Sequence, residues 1–167
     1  MSFRAYVLTS SDSGYAGQRE DLSGPAAIAL LRGAGYEIAG YEMLPDEFSL
    51  LTEKLMKICD AGEAELLITT GGTGFSARDC MPEATLAAAE REVPGIPEAM
   101  RWYSLQVTPR AMLSRAAAGI RKNTLIVNLP GSPKAVKESL EVFLPVLEHA
   151  METLSGKTLN CGKDVKP

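Results

Sequence analysis

The chain has 167 residues and a mass of 17.9 kDa, with 46% hydrophobic and 23% charged residues, the size and balance of one soluble globular domain. Lysine and arginine number 17 against 21 aspartates and glutamates, giving a net charge of −4 and a pI of about 5.1 without any block of five like charges. That balance argues against a binder of duplex DNA or RNA, which needs a basic face to neutralise phosphates, but not against a small anion held by one glycine-rich loop.

In chain order, residues 3–9 are β-rich and run into the polar Ser10-Ser11-Asp12-Ser13-Gly14, a buried strand followed by a loop. Gly24-Pro25 opens a helix with Ile28, Leu30 and Leu31 toward a core, ended by Gly33 or Gly35. Residues 36–44 form a second strand stopped by Pro45. Residues 47–61 carry Leu50, Leu51, Leu55, Met56 and Ile58 at helical spacing. Leu66–Thr70 is short and apolar, as a central parallel strand should be. An Ala-rich helix is expected over residues 82–92 and another over 94–106. Residues 115–121 and 124–129 read as two strands joined at Lys122-Asn123. Residues 132–154 form a long amphipathic helix that Pro145 should kink or divide. Residues 160–167 read as a loose polar tail, leaving residues 1–159 as a single domain.

Three cysteines, Cys59, Cys80 and Cys161, without a CxxC pair suit a reduced, cytoplasmic compartment better than a disulfide or zinc framework. The single histidine, His149, leaves little room for zinc or Ser-His-Asp chemistry and reads as a surface or packing residue. No apolar run approaches a membrane span, and the amino-terminal apolar stretch is too short for a signal peptide.

Strands alternating with helices imply an α/β layered fold with a mostly parallel sheet, and such sheets bind ligands beyond the carboxyl ends of their strands. The loops leaving those ends are 10–24, 71–82 and 130–134, with Asp46 just past the second strand. Gly71, Gly72, Thr73 and Gly74 follow a buried strand; three glycines in four positions permit positive φ and an amide nest for phosphate, though a tight turn without ligand would use the same residues. No GK[ST] follows, so this is not a Walker loop. Asp46 and Asp79 at neighbouring strand ends suit Mg²⁺ bridging to a polyphosphate, although each could instead cap the helix behind it. Pro130-Gly131-Ser132-Pro133-Lys134 joins a strand to a helix start, a second place for an anion. Asp12, Glu20 and Asp21 read as a solvated acidic face, with Asp21 near enough to the phosphate loop to recruit metal. Trp102 and Tyr103 read as core or subunit-interface residues.

These pieces together carry a resemblance. Ser11-Asp12, Asp21, Ser23-Gly24-Pro25 and Pro45-Asp46-Glu47 precede Thr69-Thr70-Gly71-Gly72-Thr73-Gly74, Arg78-Asp79 and Pro82-Glu83-Ala84-Thr85. Pro94-Gly95, Met100-Arg101, Ser104, Leu113-Ser114-Arg115 and the segment from Asn128 to Lys134 complete the order. In that order, over residues 4–154, the chain resembles the molybdopterin-binding (Mog/MoaB-like) family. Ser13 stands where the family often has arginine, and Cys80-Met81 replaces its more usual Val-Thr.

The resemblance implies a three-layer α/β/α sandwich that assembles as a homotrimer. It implies adenylyl transfer from ATP to the phosphate of molybdopterin, with Mg²⁺, and hand-over of the product to a metal-insertion protein. Position by position, Asp46 and Asp79 would handle metal and phosphates as catalytic residues. Gly71, Gly72, Thr73, Gly74, Asn128, Pro130, Gly131 and Ser132 would hold the nucleotide. Ser104, Ser114 and Arg101 would contact the pterin. A phosphate monoester is already largely dianionic at neutral pH, so it needs no general base to attack phosphorus, and cations such as Lys134 or Arg101 would help neutralise charge. A non-catalytic pterin-binding module or a MoaB-type paralogue is the alternative.

Overall fold

The computed structural model describes residues 3–156. Six strands form one sheet in the order β2-β1-β3-β6-β5-β4. β1 (Arg4–Ser10), β2 (Glu37–Leu44), β3 (Leu66–Thr70) and β6 (Thr124–Leu129) are mutually parallel. β5 (Ala118–Arg121) and β4 (Arg91–Glu92) close one edge antiparallel. The three-layer, mostly parallel architecture expected from the sequence is the one observed.

Alternation along the central strands decides which layer each residue serves. Ala5, Val7, Leu66, Ile68, Leu125 and Val127 face one core, which buries Ala27 and Leu31 of α2 (Ser23–Gly33) and Val136, Leu140, Phe143 and Leu147 of α6 (Pro133–Leu154). Tyr6, Leu8, Leu67 and Ile126 face the other. There they meet Leu51, Leu55 and Ile58 of α3 (Phe48–Ala61) and Met81, Ala84 and Ala88 of α4 (Met81–Ala88). β3 is buried along its whole length because both faces are covered.

Register aligns the strand ends. Ser10 pairs with Leu44, Thr9 with Thr70, and Thr70 with Leu129, so four loops leave the sheet along one edge. Gly71 N–H donates to the Leu129 carbonyl at 3.3 Å, and Ser11 N–H to that of Leu44 at 3.0 Å. The first loop contains the short helix α1 (Asp12–Tyr15), which periodicity did not reveal.

Three expectations are corrected. The helix expected over 82–92 ends at Ala88, and Arg91 and Glu92 pair with Ile120 and Gly119 as β4. The open side of β5 offers ladder hydrogen bonds that helical propensity alone does not supply. The strand expected from residue 115 begins at Ala118, because Arg115 turns to the glycine loop. Pro145 does not divide α6, which runs unbroken for 22 residues. A proline inside a helix costs about 3 kcal/mol, while each buried large apolar side chain contributes roughly 1.5–3 kcal/mol. Leu140 and Phe143 before it, with Leu147 and Met151 after it, are all buried in one core, so the helix stays whole. The tail over 160–167 and Cys161 lie outside the described residues.

Candidate active site

The four loops enclose a cleft of about 230 Å³ lined by Ser10, Ser11, Asp46, Gly71, Gly72 and Asp79 among others, with Arg19, Gly131 and Pro133 on its margin. Gly71 and Gly72 take φ of +86° and +63°, the left-handed region that glycine enters without a side-chain clash. A Cβ on Gly71 would lie 2.3 Å from the Ser10 carbonyl oxygen, and one on Gly72 would lie 3.1 Å from Asp46 Oδ1. The turn therefore brings bare backbone against the end of β1 and the Asp46 carboxylate.

Both aspartates are free of the capping roles open to them in sequence. The N-cap position of α3 is held by Glu47 and that of α4 by Cys80, each without a side-chain cap. Asp46 instead accepts from Ser10 Oγ at 2.5 Å and from Asp12 N–H at 3.0 Å, and its own N–H donates to Asp12 Oδ1 at 3.0 Å. Arg78 donates twice to Asp12, at 2.9 and 3.1 Å, and holds its carboxyl below the usual carboxylate range. Arg78 is thereby committed to orienting the carboxylate cluster. Asp79 accepts from Ser76 N–H at 3.0 Å, and its Oδ2 lies 2.9 Å from where a Gly74 Cβ would be. Among the described residues no group of three or more His, Cys, Asp or Glu is arranged to hold a metal. Two carboxylates in one cleft nevertheless fit Mg²⁺, which keeps several waters and binds one or two carboxylates together with substrate phosphates.

Other expected residues serve the cleft from behind. Asn128 is fully buried: its Nδ2 donates to Thr69 Oγ1 at 3.0 Å and Thr85 Oγ1 at 2.7 Å, and its Oδ1 accepts from Ala117 N–H at 3.1 Å. It ties β3, β6, α4 and the approach to β5 together and is not among the residues lining the cleft. Thr73 is also buried, its carbonyl accepting from Arg115 N–H at 2.9 Å. Ser132 caps α6 by accepting from Ala135 N–H at 3.2 Å. Lys134 is largely exposed and reaches Glu138 at 3.7 Å.

Asp21 is a local organiser. Its carboxylate accepts from Thr9 and Tyr41 hydroxyls, both at 2.6 Å, and from Ser23 and Gly24 at the start of α2. Burial pushes its pKa up, but these hydrogen bonds outweigh that and hold it below the ordinary value. For Tyr41, burial and then the neighbouring Asp21 raise the phenol to about 12. Cys80 is half-buried, and burial followed by the charges of Asp46 and Glu83 raises its pKa, so it sits in the loop as a thiol.

Ser104, Ser114 and Arg101 do converge. α5 (Gly95–Leu105), a 3-10 turn over Pro109–Leu113 and the start of α6 enclose a second hollow of about 200 Å³, lined by these three with Pro130, Thr108 and Glu138. The Arg101 guanidinium donates to the Ala116 carbonyl at 2.9 Å and weakly to that of Ser114 at 3.4 Å. Pro130 lines this hollow and the adjacent Gly131 lines the first, so one turn after β6 borders both. His149 is exposed on α6, beside the β5–β6 hairpin and away from this edge. Trp102 and Met112 are 69% and 67% exposed beside half-exposed Leu113 and Val107, so this segment is not core within one chain.

Sequence reading missed Arg115 and Ser10. Arg115 stands in the matched Leu113-Ser114-Arg115 run, and Ser10 opens the polar loop after β1; neither announces a partner more than thirty residues away.

The sequence and the fold have known counterparts. The profile of the family described as "Probable molybdopterin binding domain" matches residues 6–149. A molybdopterin adenylyltransferase of Helicobacter pylori strain J99 is 42% identical over 154 residues, covering 90% of this chain and 86% of that one. The crystal structure of the molybdopterin biosynthesis enzyme MoaB from Thermus thermophilus superimposes with a TM-score of 0.87 at 47% identity, covering 95% of this chain and 99% of that one. The tungsten cofactor synthesizing protein MoaB from Pyrococcus furiosus gives 0.83 at 33%, covering 92% and 97%. With a family profile matching residues 6–149 and relatives covering nearly its whole length, the chain belongs to the molybdopterin-binding domain family.

Proposed function

We propose that this protein is a molybdopterin adenylyltransferase of molybdenum cofactor biosynthesis, transferring AMP from ATP to the phosphate of molybdopterin. The observation that carries the reading is the pair Asp46 and Asp79, both in the cleft with the glycine turn at Gly71-Gly72 and neither capping the helix that follows it. A non-catalytic pterin binder has no use for two such carboxylates.

In this reading ATP lies in the first cleft against Gly71, Gly72 and Gly131, and the pterin occupies the hollow at Ser104 and Ser114. A phosphate oxygen of molybdopterin attacks the α-phosphorus; the bond from that phosphorus to the oxygen bridging toward the β-phosphorus breaks, and pyrophosphate leaves. The nucleophile is already anionic, so no proton has to be removed. Asp46 and Asp79 would hold Mg²⁺, which supplies charge neutralisation at the phosphates when bound. The backbone N–H groups of the turn orient those phosphates.

The family resemblance implies a homotrimer, to which the exposed Trp102, Leu105, Val107 and Met112 would contribute apolar surface, and sedimentation at micromolar concentration tests it. Among the described residues no helix is long and apolar enough to cross a membrane. The deciding experiment is incubation with ATP, Mg²⁺ and molybdopterin. Stoichiometric pyrophosphate with adenylylated pterin is the expected result; pterin binding without pyrophosphate would establish the binding-module alternative.

A further inference from the structure

The loop that carries Asp79 has no regular structure of its own between Gly71 and Cys80. Something must fix it, since a carboxylate on an unbraced loop cannot hold a defined position. One residue reaches both of its arms. The Arg115 N–H donates to the Thr73 carbonyl at 2.9 Å, and Nε donates to the Gly74 carbonyl at 2.6 Å, both on the outgoing arm. Nη2 donates to the Asp79 carbonyl at 2.8 Å, and Nη1 pairs with Glu83 in the first turn of α4, both on the returning arm. The Asp79 side chain lies between these anchors, bonded to Ser76 N–H and close to Gly74. On the other side, Arg101 bonds the carbonyls of Ser114 and Ala116, which flank Arg115. Segment 114–116 thus joins the wall of the second hollow to the glycine loop.

We propose that Arg115 is a positioning residue: it clamps both arms of the glycine loop and so fixes the Asp79 carboxylate in the cleft. A planar guanidinium with five donors can meet three separate acceptors at once; a lysine ammonium on a flexible stem cannot hold the same set. The proposal rests on the adenylyl-transfer reading for its kinetic consequence, but not for its structural one.

The test uses Arg115→Ala and Arg115→Lys. Arg121→Ala is the comparator, because Arg121 likewise makes three guanidinium bonds, to Asp60 and the Ala88 carbonyl, remote from the cleft. Amide hydrogen exchange at Ser76 and Asp79, both bonded within the loop, is read together with kcat and KM. Both Arg115 variants should exchange at these two amides about tenfold or more faster, since a local opening is released. Their kcat should fall on the order of 10²-fold while KM for ATP stays near the wild-type value, the mark of a misplaced group rather than lost binding. Millimolar guanidinium should restore part of the kcat of Arg115→Ala. If Arg115→Ala does not fold, Arg115→Lys decides by the same readings. Wild-type exchange and kcat in Arg115→Lys would overturn the proposal, as would a loss shared equally by Arg121→Ala. If the wild-type protein itself releases no pyrophosphate, the adenylyl-transfer reading falls, and the exchange at Ser76 and Asp79 alone decides the clamp.

Discussion

Two glycines allow backbone strain to be separated from collision at the turn after β3. Gly35 and Gly71 have nearly the same positive φ, +89° and +86°, but a Cβ on Gly35 meets nothing within 4 Å, whereas one on Gly71 lies 2.3 Å from the Ser10 carbonyl oxygen. Alanine at Gly35 therefore adds only the left-handed strain, about 1–2 kcal/mol. For a domain of this length about 1 kcal/mol lowers Tm by roughly 2–4 °C, so Gly35→Ala should melt about 2–8 °C below wild type with turnover unchanged. Alanine at Gly71 carries the same strain and must also part the ends of β1 and β3 by about 1 Å to reach ordinary contact. Ser10 holds Asp46 through its hydroxyl, so this displacement moves the carboxylate proposed to be catalytic. A misplacement of that size can cost on the order of 10²-fold in rate. Thermal melts of both variants, paired with pyrophosphate release, measure the two effects. If Gly71→Ala melts with Gly35→Ala and keeps wild-type turnover, the turn does not depend on the close approach of bare backbone, and the reasoning fails.

Asp46→Asn and Asp79→Asn should each abolish adenylyl transfer, a loss of several kcal/mol of transition-state stabilisation, with melting temperatures near wild type; near-normal turnover in both would remove the metal assignment. The double variant Ser104→Ala, Ser114→Ala should weaken molybdopterin binding by about 1–3 kcal/mol in calorimetry while ATP affinity holds, and equal loss of both ligands would speak against a pterin hollow distinct from the nucleotide cleft. Asp21 has its folded pKa depressed, so the stability it contributes is full above the ordinary aspartate value of 3.8 and fades as pH falls through the lower folded value. Melting of wild type and Asp21→Asn across acid pH should show the gap between them closing below about pH 4; a constant gap would show that the charge of Asp21 is irrelevant.

Much of this molecule is local enough to read from the chain. The apolar runs of β1, β3 and β6 mark parallel strands covered on both faces, because only such strands are apolar at every position. Gly71 and Gly72 announce a positive-φ turn, and Asp46 just past β2 and Asp79 in the loop after β3 stand on the side where α/β sheets place ligands. Other features depend on what lies nearby in space. Arg91 and Glu92 are helical by local preference and become β4 only because the edge of β5 is open to them. Pro145 breaks a helix on its own but not one anchored on both sides of it in the same core. Asn128 has the place of a nucleotide ligand in sequence, yet its amide is satisfied by Thr69, Thr85 and Ala117, which come from three other segments of the chain. Asp21 and Arg115 are decided in the same way. A charged side chain's role follows from which partners the fold brings within about 3 Å, and those partners stand anywhere from two to more than forty residues away, where no periodicity or spacing records them.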